Sequence, residues 1–250
     1  MSESVSATPE AAPTGGTLIP PHARVQIAIL AGLFVALHWD IIYRLGRFAA
    51  SDDDWSHAFI LPVISIVFIY LNRERLARIR PHTSWWGLPI MLVGLFGYFL
   101  SIYPIRNDMF KGYFMILELF GLVWFMVGGK MMTVLWFPIF YLGFGVKISN
   151  KIWEFIAFKL QRVAAHTSTG VMRMMGIDAS VDGNTIHLWD VPDPPGALNV
   201  AEACSGIRSL MMFIMLGVAV AWLVRRPWWS RFALVLLTVP VAITVNVGRV

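Results

Sequence analysis

Ser209-Leu210-Met211-Met212-Phe213-Ile214-Met215-Leu216-Gly217-Val218-Ala219-Val220-Ala221-Trp222-Leu223-Val224 runs straight into Arg225-Arg226-Pro227-Trp228-Trp229-Ser230-Arg231. A second uncharged run, Phe232 to Val247, follows. Neither run has the polar face that a surface helix of a soluble protein needs. Each is nearly long enough to cross a hydrocarbon core of about 30 Å. Three arginines and two tryptophans between them mark a membrane–water boundary, on the side where basic loops collect. The pair reads as two antiparallel membrane spans.

The rest of the chain has the same character. Of 250 residues, 57% are apolar and only 14% are charged, with 11 Trp and 17 Phe. A soluble domain of this size carries more charge. The predicted fold class is all-α: one polytopic membrane helical bundle of about seven spans. Working outward, the other spans are Val25 to Tyr43, Ala58 (or Trp55) to Leu71, Trp86 to Tyr103, Gly112 to Val127 and Met131 to Val146. His38 and Asp40 fall near the far end of the first span, at the expected interface. Gly87, Gly94 and Gly97 suit close helix contact in the third. Pro138 predicts a kink in the fifth. Glu118 is an ionisable residue inside a span, read either as a functional group or as a polar link between helices. Residues 1–23, rich in Ser, Thr, Ala, Pro and Gly, read as a disordered tail, leaving 24–250 as one integral-membrane domain.

The formal charge of +5 does not point to nucleic acid, because the arginines sit in short loops between apolar runs. Arg73, Arg75, Arg78 and Arg80 stand against Glu74 alone in one such loop, and residues 225–231 form the other. Four spans separate the two loops, so both belong on one side, the cytoplasm. The N-terminus then also lies in the cytoplasm, and residues 147–203 form an extracytoplasmic insert.

Within that insert, Ile148, Ile152, Ile156, Leu160 and Val163 recur at helical spacing among Lys151, Glu154, Gln161 and Arg162. This predicts an amphipathic helix lying on the membrane or on the other spans. Val181-Asp182-Gly183-Asn184-Thr185-Ile186-His187-Leu188 predicts a small hairpin around Asp-Gly, and Val191 to Gly196 a rigid Pro-rich loop. His166 and His187 read as surface histidines.

The insert ends at Asn199-Val200-Ala201-Glu202-Ala203-Cys204-Ser205-Gly206-Ile207-Arg208-Ser209-Leu210, where a polar segment meets the sixth span. Cys204 is the only cysteine, which excludes an internal disulfide and a cysteine-cluster metal site. Free N–H groups and the dipole of a helix start favour the thiolate, the nucleophilic form. Arg208 adds positive charge one turn on. The competing reading is a small packing residue in an Ala-Cys-Ser-Gly patch.

Glu202 to Ser209 resembles the active-site signature of exosortases, the bacterial relatives of archaeosortases. Three further blocks are similar to that family. These are Ser56-His57-Ala58-Phe59-Ile60-Leu61-Pro62, with Ala58 in place of a glycine; Gly176-Ile177 through Val181 to Ile186; and Asn246-Val247-Gly248-Arg249-Val250. Together they cover most of residues 51–250. The resemblance implies a membrane cysteine transpeptidase. It would cleave exported proteins at a C-terminal sorting signal: a Pro-Glu-Pro-type motif, an apolar span and a basic tail. It would then transfer them to an envelope acceptor in an exopolysaccharide-producing bacterium. It implies no cofactor, no metal and no nucleic-acid partner, only exported substrates and membrane lipid.

On this reading Cys204 is the catalytic nucleophile. Arg249 pairs with the thiolate or binds the oxyanion, although on composition alone it reads as an interfacial anchor. Arg208 and His57 are candidates for oxyanion or substrate orientation. Arg208 also suits a lipid headgroup. The family's third catalytic residue is a histidine downstream of the arginine block, followed by one more span, the eighth. Here no histidine follows His187 and the chain stops at Val250, which reads as a truncation. Otherwise the acid/base comes from elsewhere, with His57 the candidate. The alternative function is a non-enzymatic transporter or polysaccharide-export assembly protein, in which Glu118, Asp40 and Pro138 matter more than Cys204.

Overall fold

The computed structural model describes residues 21–189, 196–199, 207–224 and 226–247. They form a bundle of helices with a small sheet attached. Of the expected tail, residues 1–20 lie outside the described residues, and α1 (Pro21–Leu37) already begins at Pro21. Proline suits a first helical position because its missing N–H would have no partner there.

The first expected span does not run straight to Tyr43. It bends by 70° at His38 into α2 (Trp39–Ser51). The sequence explains the second half. Asp40, Arg44 and Arg47 lie on the exposed side of α2, while Ile41 and Ala49 are buried. Such a helix lies along a surface more readily than it crosses a bilayer. His38, expected at the interface, is instead fully buried at the bend.

A 3-10 turn, Asp53–Phe59, leads into α3 (Ile60–Leu71), so the second apolar segment does begin back at Trp55. The basic segment carries a short α4 (Arg73–Ala77). Next come α5 (Gly87–Ile102), α6 (Asp108–Val127) and α7 (Gly129–Tyr141). Asn107 caps α6, accepting from the Met109 N–H at 2.9 Å. Pro138 sits inside α7, which tightens into a 3-10 turn at Leu142–Gly145. A bend of 81° then leads to α8 (Asn150–Met174). Finally α9 (Ile207–Leu223) and α10 (Trp228–Val247) form an antiparallel hairpin.

By length and composition, α6 and α10 are long enough to cross a membrane singly, and the two bent pairs qualify if each is one crossing. The remaining apolar helices are shorter; α9, at 17 residues, is about 26 Å long at 1.5 Å per residue. Large apolar side chains on these helices face outward: Val63 and Ile66 on α3, Phe96 on α5 and Leu216 on α9 are all more than half exposed. This inverted surface suits a lipid surround.

Glycines set the closest approach. A Cβ on Gly94 would stand 2.5 Å from the Glu118 backbone nitrogen, and one on Gly121 would overlap the Met91 backbone. Gly87 and Gly94, expected to mediate contact, together with Gly121 thus bring α5 and α6 nearly backbone to backbone. The main core joins α3, α7 and α9 through Leu61, Phe68, Phe137, Tyr141, Met215 and Ala219. Trp222 stacks on Phe137 at 4.2 Å, and Ser65 donates to the Pro138 carbonyl at 2.9 Å. The Leu142 N–H turns to the Ile139 and Phe140 carbonyls where α7 tightens, and the serine supplies the Pro138 carbonyl with a donor there.

The amphipathic helix is present and runs on past the stripe to Met174. Ile152 and Val163 of the apolar stripe are exposed, as are Phe155 and Phe158. The buried face carries Gln161, Ala164, Ala165, Ser168 and Thr169. Against protein, small residues allow close contact; large apolar ones remain outside, as suits lipid.

The predicted hairpin forms. β1 (Ala179–Asp182) pairs antiparallel with β2 (Thr185–Leu188), joined by Gly183-Asn184, with Gly183 at φ +61°. A third strand, β3 (Gly196–Asn199), extends the sheet beside β2. The sequence predicts no strand there. Of the predicted Pro-rich loop, residues 191–195 lie outside the described residues. Ala179 and Ile186 pack with Ala165 as the seam between sheet and α8. Arg173 Nε donates to the Ala179 carbonyl, and Asn184 Nδ2 donates to Gln161 Oε1, both at 2.6 Å.

Candidate functional site

Cys204 and Arg249, the predicted catalytic pair, lie outside the described residues, so their side chains have no geometry here. Their flanks are defined. β3 ends at Asn199 and α9 begins at Ile207, so Cys204 falls in the link between the sheet and α9. Arg249 follows the last described residue of α10 by two positions. Because α9 and α10 are antiparallel, with Gly217 against Thr238 near their middles, α10 finishes at the end of the bundle where α9 starts.

That end holds a cavity of about 260 Å³. Its walls include Trp55 and His57 from the 3-10 turn, Tyr113 from α6, Val146, and Met211 and Met215 from α9. Met211 is one turn past the start of α9. The turn is fixed by aromatic packing: Trp55 is 4% exposed, and its ring centroid lies 5.0 Å from Trp153 and 5.7 Å from His57. His57 is itself buried, at 6% exposure. An imidazole at a cavity wall can act as a general acid or base. Arg208 is exposed in the first turn of α9. Of the four predicted site residues, the structure therefore describes two, His57 at the cavity and Arg208 on the helix that borders it.

Charged groups gather between α2 and α6, where Arg44, Asp108 and Lys147 line a separate cavity. Arg44 Nε donates to Asp40 Oδ1 at 3.0 Å, and its Nη1 lies 3.8 Å from Asp108 Oδ2. Lys111, buried despite its charge, donates to Asp108 Oδ1 at 2.9 Å. Lys147 Nζ stands 3.7 Å from the centre of the Phe48 ring. Asp108 thus ties α6 to α2 through Arg44, with Lys111 paired to it from within its own helix.

A second buried group lies deeper. His38 Nδ1 donates to the Phe34 carbonyl at 2.9 Å, since a carbonyl only accepts. Its other nitrogen, Nε2, faces Glu118 Oε2 at 3.3 Å, within ion-pair range but off the line of a hydrogen bond. The ring is held between Phe34 and Tyr98, each 4.4 Å away between centroids. The pair brings α6 against the α1–α2 bend. Two ionisable residues in apolar stretches were visible in the sequence, and each needs a partner. That they partner one another, 80 positions apart, was not visible.

His166 is exposed and His187 half-buried on the sheet. Among the described residues, no three His, Cys, Asp or Glu side chains converge as metal ligands.

The sequence model of one family, described as transmembrane exosortase, matches residues 49–250. No curated protein and no solved structure matches the chain.

Proposed function

Because this chain belongs to the transmembrane exosortase family, we propose that it is a membrane cysteine transpeptidase that cuts exported proteins at a C-terminal sorting signal. The family match across four-fifths of the chain is the observation that carries this reading. Cys204 is the nucleophile. Its thiolate attacks the peptide carbonyl near a Pro-Glu-Pro-type motif. The oxyanion of the tetrahedral intermediate is held by Arg249, with Arg208 able to assist. Collapse expels the downstream amine, which takes up a proton, and leaves a thioester on Cys204. A lipid or glycan hydroxyl then resolves the thioester, regenerating the thiol.

The antiparallel α9–α10 hairpin supports this assignment, because the link carrying Cys204 and the chain leading to Arg249 start from one end of the bundle. His57 faces a cavity at that same end and is the proton donor proposed for the leaving amine. The opposite end carries the two basic loops, which supports placing that end in the cytoplasm and the site on the outer face of the inner membrane. Residues 147–203 then cover the site from outside.

The test is a gel shift of a co-expressed substrate bearing the apolar span and basic tail, with the full gene product as enzyme. Cys204→Ser abolishes processing while the protein still inserts. Arg249→Lys impairs it severely, since lysine keeps the charge but loses the planar fork of donors. Full processing by the Cys204→Ser protein would falsify the enzymatic reading. A transporter or polysaccharide-export reading draws on the buried His38–Glu118 pair; there, Glu118→Gln and not Cys204→Ser abolishes function.

A further inference from the structure

At the end opposite the His57 cavity, α3, α4, α9 and α10 enclose an opening of about 550 Å³. It is lined by Leu71, Asn72, Arg75, Trp222, Leu223 and Arg231. The two strongly basic segments of the sequence therefore meet at one place, each contributing an arginine. Neither arginine has a carboxylate within ion-pair distance among the described residues, and Glu74 is the only acid in the first segment. The Nε of Arg231 is buried and makes no hydrogen bond. A guanidinium with a donor withdrawn from water and unpaired is costly unless an acceptor arrives.

The walls are preformed. Trp222 is held by its stack on Phe137 and an edge contact with Trp136 at 5.3 Å. The Asn72 side chain is turned by its 2.9 Å hydrogen bond to the Phe68 carbonyl. The rim is apolar and open: Leu71 is 54% and Leu223 48% exposed. We propose that this opening binds a phosphate group between Arg75 and Arg231, supplied by the headgroup of an anionic phospholipid whose acyl chains run along Leu71 and Leu223. Arginine forks match phosphate oxygens in pairs. Basic pockets between membrane helices take such headgroups. Free phosphate shares the chemistry but makes no use of the apolar rim. The site is independent of the proposed peptidase chemistry.

The full chain is reconstituted in nanodiscs of phosphatidylcholine doped with phosphatidylglycerol, and retained lipid is counted by native mass spectrometry. The expected result is one phosphatidylglycerol held in preference to phosphatidylcholine. The Arg75→Gln/Arg231→Gln double variant should weaken that preference about thirtyfold, at the usual strength of two arginines near a charged surface. Arg231→Lys should keep part of it. In detergent without lipid, millimolar inorganic phosphate serves as the second arm. Arginine-dependent retention of phosphatidylglycerol that phosphate does not displace supports the lipid source. Arginine-dependent displacement by phosphate overturns the lipid source in favour of the free anion. Equal retention of the two lipids, or a preference unchanged in the double variant with its thermal unfolding intact, overturns the site. If the double variant unfolds, the Arg75→Gln variant alone decides, because Arg75 is exposed on α4 and takes no part in the core.

Discussion

Consider the replacement of Glu118 by leucine. Glu118 is buried in α6, 3.3 Å from a histidine with no exposed side-chain surface. Removing the carboxylate strands His38 Nε2 in an apolar setting, and breaking a buried pair from one side costs about 3–5 kcal/mol. His38→Phe alone strands Glu118 by the same logic. The phenylalanine still fills the space between Phe34 and Tyr98. The Phe34 carbonyl also keeps a partner, since it accepts from the His38 backbone N–H at 3.1 Å. The double variant removes both polar groups and leaves apolar side chains of similar volume, so it should cost less than either single change. The measurement is equilibrium unfolding in mixed micelles, with all four proteins in one double-mutant cycle. A coupling of at least about 2 kcal/mol is expected. If the double variant costs the sum of the singles to within about 0.5 kcal/mol, the two residues are energetically independent, and the link between α6 and the α1–α2 bend does not exist.

Other outcomes follow from the packing. Gly121→Leu should separate α5 from α6 and destabilise by about 1–3 kcal/mol or more, because its Cβ meets Met91 backbone that cannot rotate away; a silent substitution in the same unfolding assay would contradict the close approach. Asn184→Ala should leave the buried Gln161 without its partner and cost about 1–3 kcal/mol. Faster hydrogen exchange in β1 and β2, with α3 and α7 unaffected, would mark the sheet coming off α8. Under the proposed orientation, protease added to the outside of spheroplasts should cut within 178–200, and protease reaching the cytoplasmic face should not; the reverse pattern would invert the membrane orientation.

The sequence alone determined what the solvent imposes. Uncharged runs punctuated by arginine and tryptophan require helices in lipid, because unpaired backbone groups cannot persist there. The Asp-Gly turn and the contact glycines of α5 were equally legible, since steric rules act within a few residues. The Cys204 block and its flanking motifs pointed to the family that the match over residues 49–250 shows. Tertiary structure decided what depends on distant neighbours. A 3.6-residue period in α8 was readable, but not which side meets protein, because in lipid large apolar residues gain nothing by turning inward. The break at His38 looked like continuous helix until Glu118 and Tyr98 supplied its surroundings. β3 was not legible because a four-residue strand with little pattern of its own is specified by the edge of β2 that it joins. Two basic loops could be counted onto one side, yet only the packing of α9 and α10 against α3 and α4 brought Arg75 and Arg231 to a single opening.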